Sequence, residues 1–182
     1  MHTVKEETKS GIVIGKKEMK TGKGKKRKKR LRILCGKFLF FGVMTFILFH
    51  FVFAVRVIHN NDMFPFLTDG ELVVVYRFGK LGVNQAVLYE YDGQERFGRI
   101  VAQEGDRVQI SESDFLINEN TVYTANPYPT KVSDGKPVAL TVPAGSYFLL
   151  NDYRERETDS RQFGCVSNII GPIIFSMKYR EF

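Results

Sequence analysis

The sequence is short of the groups that staple or metallate a small domain. It holds 2 cysteines and 3 histidines in 182 residues. Cys35 stands just before a long apolar run and Cys165 far beyond it. If that run crosses a bilayer, the two thiols lie on opposite sides, and a disulfide framework is excluded. No His/Cys/Asp cluster has the spacing of metal ligands, so neither a metal nor another cofactor is expected. There is no internal repeat, and no long helical periodicity follows residue 58. Acids are scarce at the start: residues 1–37 carry 14 Lys and Arg against 3 acids, whereas residues 59–182 carry 12 against 17. The net charge of +7 therefore belongs to a tail. Since that tail abuts an apolar run, a nucleic-acid arm is not expected.

What the sequence does have begins with "FLFFGVMTFILFHFVFAVRVI", directly after "GKKRKKRLR". Phe38 to Val55 carries no formal charge, and the apolar stretch reaches Ile58 if Arg56 snorkels its guanidinium to the interface. About 20 residues at 1.5 Å each match the ~30 Å hydrocarbon core. A cleaved signal peptide is the competing reading, but its apolar core is shorter and ends in small residues. This one is dense in Phe and ends "VRVIHNND". The expected organisation is a basic disordered tail over 1–32, an uncleaved transmembrane anchor over 33–58 and an outer domain over 59–182. The Lys/Arg cluster places the N-terminus in the cytoplasm and the domain outside, in a single-pass membrane protein.

The outer domain reads as strands. "ELVVVYRF", "QAVLYEY", "GRIVAQ", "DRVQI", "DFLINENTVY", "VALTV", "SYFLL" and "IIGPIIFSMKY" are short runs rich in Val, Ile, Tyr and Phe. Asp-Gly, Gly-Lys, Gly-Asp and Asn-Pro punctuation separates them. The fold class is mainly β, in antiparallel or barrel-like sheets, tethered by one N-terminal helix. "NDYRERETDSRQFG" is a polar exception between two apolar strands and marks a functional loop, or one that was functional.

Four ordered blocks carry a resemblance. "DMFPFLTDGELVVVYR" resembles S-M-x-P-T-L-x-x-G-D through Met63, Pro65, Leu67 and Gly70. "FGRIVAQEGDRVQI" resembles Y-x-K-R-V-x-G-x-P-G-D-x-V through Arg99, Val101, Gly105, Asp106 and Val108. "FLINENTV" with "NPYP" resembles the strand-turn-strand that follows. "VPAGSYFLLNDYRERETDSRQFG" resembles V-P-x-G-x-Y-F-x-L-G-D-N-R-x-x-S-x-D-S-R-x-x-G through Pro143, Gly145, Asp152, Arg154, Asp159, Ser160, Arg161 and Gly164. The chain resembles the type I signal peptidases, membrane-anchored serine proteases with a Ser-Lys dyad and a mainly β fold.

The resemblance puts that family's nucleophilic serine at Asp62 and its general-base lysine at Gly98. A dyad needs a hydroxyl to attack and a desolvated amine to take its proton. Aspartate supplies no hydroxyl and glycine no base, so a catalytically degenerate member is implied. Asp62, with no lysine beside it, must be solvated, hydrogen-bonded or protonated. Two substitute chemistries stay open: a His59–Asp62 pair, and a shared-carboxylate site of Asp62 with Glu104, Asp106 or Glu157. Gly105, Asp106, Asp152, Arg154, Asp159, Ser160 and Arg161 are implied as retained structural residues, and Asp159 can pair with Arg161 across a turn.

Asn60, Met63, Phe64, Pro65, Phe66 and Arg99 are the expected cleft. Phe64 and Phe66 stand at its edge, where they grip a protein ligand, touch lipid or fill a closed cleft. Without its dyad the chain resembles the peptidase-like accessory proteins of pilus assembly in Gram-positive bacteria, which implies pilin subunits or sortase as partners and a chaperone-like role. The alternatives are a peptidase with substituted residues and a protein that binds signal peptides without cutting them.

Overall fold

A computed structural model describes residues 21–122, 126–132 and 135–178. The expected disorder of residues 1–20 lies outside the described residues. The chain divides into two compact units, one ending at Phe46 and one beginning at Ile47. Helix α1 runs Thr21–Val52, so residues 21–32, expected to be disordered, are helical instead. Lys and Arg are good helix formers, and a helix already nucleated in the apolar run propagates into them without a new nucleation step. Its part Arg27–Val52, which contains an 18-residue stretch of mean hydropathy 1.9, is long and apolar enough to cross a membrane.

The anchor's other end differs as well. Phe53–Val57, expected within a span reaching Ile58, forms strand β1. β-Branched Val55 and Val57 suit a strand as well as a lipid-facing helix, and hydropathy alone does not separate the two. Ala54 and Ile58 face the core, while Val55 and Val57 face out. Arg56, expected to snorkel, instead forms an ion pair with Glu95, its Nη2 donating to Oε1 at 2.7 Å. If the helix crosses a bilayer, a span of ~20 residues counted back from Val52 starts near Ile33 and takes in Lys37, whose charge then has to reach the interface.

From Phe53 onward the chain is mainly antiparallel β. A six-stranded sheet contains β1, β2 (Leu72–Tyr76), β10 (Ile169–Met177), β3 (Ala86–Tyr91), β4 (Gln94–Gln103) and β9 (Tyr147–Leu150), in that order. A four-stranded sheet contains β7 (Asn120–Thr121), β6 (Phe115–Ile117), β5 (Arg107–Ile110) and β8 (Val138–Thr141). β3 and β4 form a hairpin whose turn, Asp92-Gly93, takes positive φ at both residues, as such turns require. Val87, Tyr89, Ile100, Leu149 and Val166 pack in the large sheet's core. Val101, Val108, Ile110, Phe115 and Phe148 form the cluster that joins it to the small sheet. Apolar burial of this kind, at ~25 cal/mol per Å², holds the domain without a disulfide; both cysteines are free.

This frame places three segments together. The loop after β1 returns on itself: Ile58 N–H donates to Glu71 O at 2.8 Å and Gly70 N–H to Ile58 O at 2.9 Å. β4 carries Gly98 and Arg99 side by side, with Arg99 opposite Leu150 of β9. β9 then feeds the polar segment 151–164, which contains the short helix α2 (Ser160–Phe163).

Candidate functional site

The loop that carries Asp62 is clamped from within. Leu67 N–H donates to Met63 O at 2.8 Å, Asp69 N–H to the Asn61 side chain at 3.0 Å, and Thr68 Oγ1 to buried Glu71 at 2.6 Å. Met63 is fully buried beside Ile58, Leu67 and Val73. It is core and does not line the cleft, contrary to expectation; an unbranched thioether fills an irregular gap under a loop. Asn60 is a brace as well, its side-chain oxygen accepting from Asp62 N–H at 3.1 Å. Among the expected cleft residues, Pro65, Phe66 and Arg99 line one cavity of about 570 Å³.

Asp62 is paired with a cation. Its Oδ1 lies 3.0 Å from Arg156 Nη1, and its side chain is 18% exposed. Its carbonyl accepts from Tyr153 N–H at 2.9 Å. Of the possible carboxylate partners, Glu104 accepts from Gly145 N–H, and Asp106 accepts from Gln103 N–H and Asn118 within its own turn. His59 is exposed. Asp62 is thus held by a guanidinium, Glu104 and Asp106 are each engaged elsewhere, and His59 faces solvent.

Gly98 faces a filled space. A Cβ there would stand 3.0 Å from the Tyr89 ring and 3.5 Å from Leu149 Cβ. Tyr89 is fully buried, and its hydroxyl has no hydrogen-bond partner. Burial pushes its phenol far above the ordinary tyrosine range; Arg96 opposes this, and Asp159 and Asp62 add to it. Tyr89 therefore stays neutral and offers no base at any ordinary pH. Neither Tyr89 nor Arg156 was legible as a site residue: one sits in a strand run, the other in a charged loop, and only the fold brings them to Gly98 and Asp62.

The expected structural residues are tied together. Asp159 caps α2 and pairs with Arg161 at 2.9 Å, both buried. Arg161 Nη2 also donates to Arg156 O at 2.7 Å and its Nη1 to Lys131 O at 3.1 Å. Ser160 Oγ accepts from Leu149 N–H at 2.9 Å, which occupies the hydroxyl in a structural bond. Gly105 takes φ +86 in the turn closed by Asp106, a region that favours glycine. Arg99 grips Asp152 with two nitrogens and donates to Asn84 O at 2.6 Å. Its guanidinium also lies 4.8 Å from the Phe66 ring centroid, within cation–π range. Arg154 is the exception, buried with its Nε and Nη1 unpartnered.

Aromatics gather beside the loop. Phe64 is 40% exposed and Phe66 is 47% exposed. Phe64 meets Tyr153 edge-on at 6.5 Å and Tyr128 at 6.4 Å, and those two tyrosines cross at 4.9 Å and 89°. The sequence pointed to Phe64; Tyr128 and Tyr153 join it only through folding.

The sequence profile of signal peptidase, peptidase S26, matches residues 31–177. The chain belongs to this family. As a member of the S26 signal peptidases it is 28% identical over 144 residues to "Inactive signal peptidase IA" of Staphylococcus aureus (strain MRSA252), covering 72% of this chain and 82% of that protein. It is also 28% identical over 156 residues to "Signal peptidase IB" of Staphylococcus aureus (strain Mu50 / ATCC 700699), covering 73% and 82%. The crystal structure of a signal peptidase I from Enterococcus faecalis V583 is similar at TM-score 0.44 and 23% identity, over 52% of this chain and 97% of that one.

Proposed function

We propose that this S26 signal peptidase homologue is non-catalytic: a membrane-anchored binding factor that holds an extended protein segment and acts with pilin subunits and sortase in surface pilus assembly. On this reading Asp62 and Gly98 stand at the positions of the dyad's serine and lysine. One observation carries it. Asp62 is ion-paired to Arg156 at 3.0 Å, while the face of Gly98 is filled by the Tyr89 ring and Leu149. A nucleophile and its base are absent together, and the base's space is occupied. A relative named as inactive supports the same reading.

Binding would use the exposed rim. β1 is an edge strand of its sheet, and an edge strand accepts an extended segment through backbone hydrogen bonds. Phe64, with Tyr128 and Tyr153 behind it, supplies aromatic anchors of the kind that dominate interface energetics. The basic N-terminal residues support an orientation with the domain on the outer face of the membrane, where pilin and sortase would meet it.

The test uses the full chain in nanodiscs. Incubated with a secretory precursor, wild type and Asp62→Ala leave the precursor uncut; cleavage that Asp62→Ala abolishes overturns the non-catalytic reading. In pull-downs with purified pilin, wild type retains the subunit. Phe64→Ala with Phe66→Ala weakens capture by about tenfold or more, the loss expected for truncated aromatic anchors. Unchanged capture removes the rim from the binding surface.

A further inference from the structure

The cavity beside Phe66 is lined by a buried arginine, two of whose nitrogens have no hydrogen-bond partner among the described residues. Arg154 is 2% exposed, and neither its Nε nor its Nη1 has a hydrogen-bond partner. Burial lowers its pKa to about 10, against the raising influence of Asp152 and Asp159. A guanidinium presents five N–H donors, and a buried charge normally sits on a carboxylate or on several acceptors. The near carboxylates are committed: Asp152 to Arg99 through two hydrogen bonds, and Asp159 to Arg161.

Arg154 lines the cavity together with Arg99 and Asp152. Two cations against one anion leave a single unanswered positive charge. Much of the remaining wall is apolar, from Pro65, Val101 and Ile117. At about 570 Å³ the space falls in the range of sites that take a ligand of many atoms, and it is more than a lone anion needs. One positive charge next to the Asp152 carboxylate suits a monoanion; a doubly charged phosphate would be repelled by Asp152. An apolar wall with one guanidinium at its base fits a short apolar peptide stretch that carries a carboxylate.

We infer that this cavity is a binding site for a peptide carboxylate, with Arg154 receiving the carboxylate and the apolar wall receiving the neighbouring side chains. The site deepens the proposed role as a binding factor, and it lies apart from Gly98 and Asp62, neither of which lines it. The carboxylate has two possible sources, a chain terminus or an internal Glu or Asp, and the guanidinium would bind either.

The test is fluorescence anisotropy with the full chain in phosphatidylcholine nanodiscs. The probes are Gly-Val-Ala-Val-Leu carrying an uncharged BODIPY dye at its N-terminus and a free C-terminus, the same peptide amidated, and an amidated version with Glu in place of the second Val. A carboxylate probe is expected to bind about tenfold or more tightly than the neutral amide, the scale of a charge-assisted hydrogen bond, and the stronger of the two acids identifies the source. In Arg154→Met the preference collapses, while the weak affinity for the neutral amide stays. The melting temperature of Arg154→Met does not fall, since the substitution removes a buried charge whose Nε and Nη1 make no hydrogen bond among the described residues; a purely structural arginine would lower it.

Equal affinity of wild type for all three probes, or no binding at about millimolar peptide, overturns the assignment without recourse to any variant. A preference for the acids that survives in Arg154→Met overturns it as well. If the preference disappears when phosphatidylglycerol replaces phosphatidylcholine, the guanidinium serves lipid phosphate and the peptide assignment fails. Precursor cleavage would overturn the non-catalytic reading and leave this site standing, whereas equal acid and amide affinities do the reverse.

Discussion

Segment 151–164 faces two ways. At one end Asp159, Ser160 and Arg161 form a buried brace in which each polar group has a partner: carboxylate to guanidinium, hydroxyl to Leu149 N–H, guanidinium to two backbone carbonyls. At the other end Tyr153 and Arg156 close over Asp62 through one backbone hydrogen bond and one ion pair whose arginine is half-exposed. The brace has little freedom to change, because removing any member strands another inside the protein. The Asp62 corner has more, because water reaches part of it. On the proposed reading, the dyad was lost where its loss was tolerable, and the scaffold that held it remained.

That contrast is sharpest at Arg161. Arg161→Ala leaves the Asp159 carboxylate buried without its guanidinium, and breaking a buried pair from one side costs about 3–5 kcal/mol. Denaturant unfolding of the full chain in detergent, read by a probe in the β domain, should register a loss of that size. A loss below about 1 kcal/mol would put the brace on the same footing as an exposed ion pair, and the comparison would break.

A smaller effect is expected at Gly98. A lysine there brings a Cβ to within 3.0 Å of the Tyr89 ring, and overpacking a filled core costs about 1–3 kcal/mol. The combination Asp62→Ser with Gly98→Lys should therefore leave a precursor uncut, because a side chain at 98 meets the Tyr89 ring at its first carbon. Adding Tyr89→Ala should cost less in that background than it does in wild type, because the lysine refills part of the space the ring vacates. Cleavage restored by the first two changes alone would show that the space is not closed, and that the missing side chains are the whole defect.

The sequence made some of this visible and hid the rest for physical reasons. The β class, the loop ending at Gly70 and the Asp159–Arg161 pair rest on local pattern: alternation, turn residues, and two partners two positions apart. The end of the anchor was hidden because Phe53–Val57 is as apolar as the helix before it, and only pairing with β2 (Phe53 opposite Tyr76 through Val57 opposite Leu72) makes it a strand. Arg156 beside Asp62 is 94 residues away in sequence. Met63 was read as cleft because of its place in a motif, yet its side chain points into the core. Arg154 was read as structural, and only its unanswered donors distinguish it from the fully bonded Arg161.

The smallest effect belongs to the pair that corrected the anchor boundary. Arg56 of β1 meets Glu95 of β4, and the hydrogen bond from Arg56 holds the Glu95 carboxyl below the usual glutamate range, against the opposing effect of burial. A depressed folded pKa means that the unfolded chain binds the proton more readily. The contribution is then fully present above the unfolded value, about 4.3 for a free glutamate, and fades as pH falls through the lower folded value. Both side chains are more than a third exposed, so solvent screening limits the pair to less than about 1 kcal/mol. Glu95→Gln should lower stability by that small amount at neutral pH and by less in high salt, and the gap between the variant and wild type should close in acid, once Glu95 is protonated in both states. A gap that persists there would mean that Glu95 holds β1 by packing rather than by charge, and that strand 53–57 is fixed to the domain more like the Asp159 brace than like the Asp62 corner.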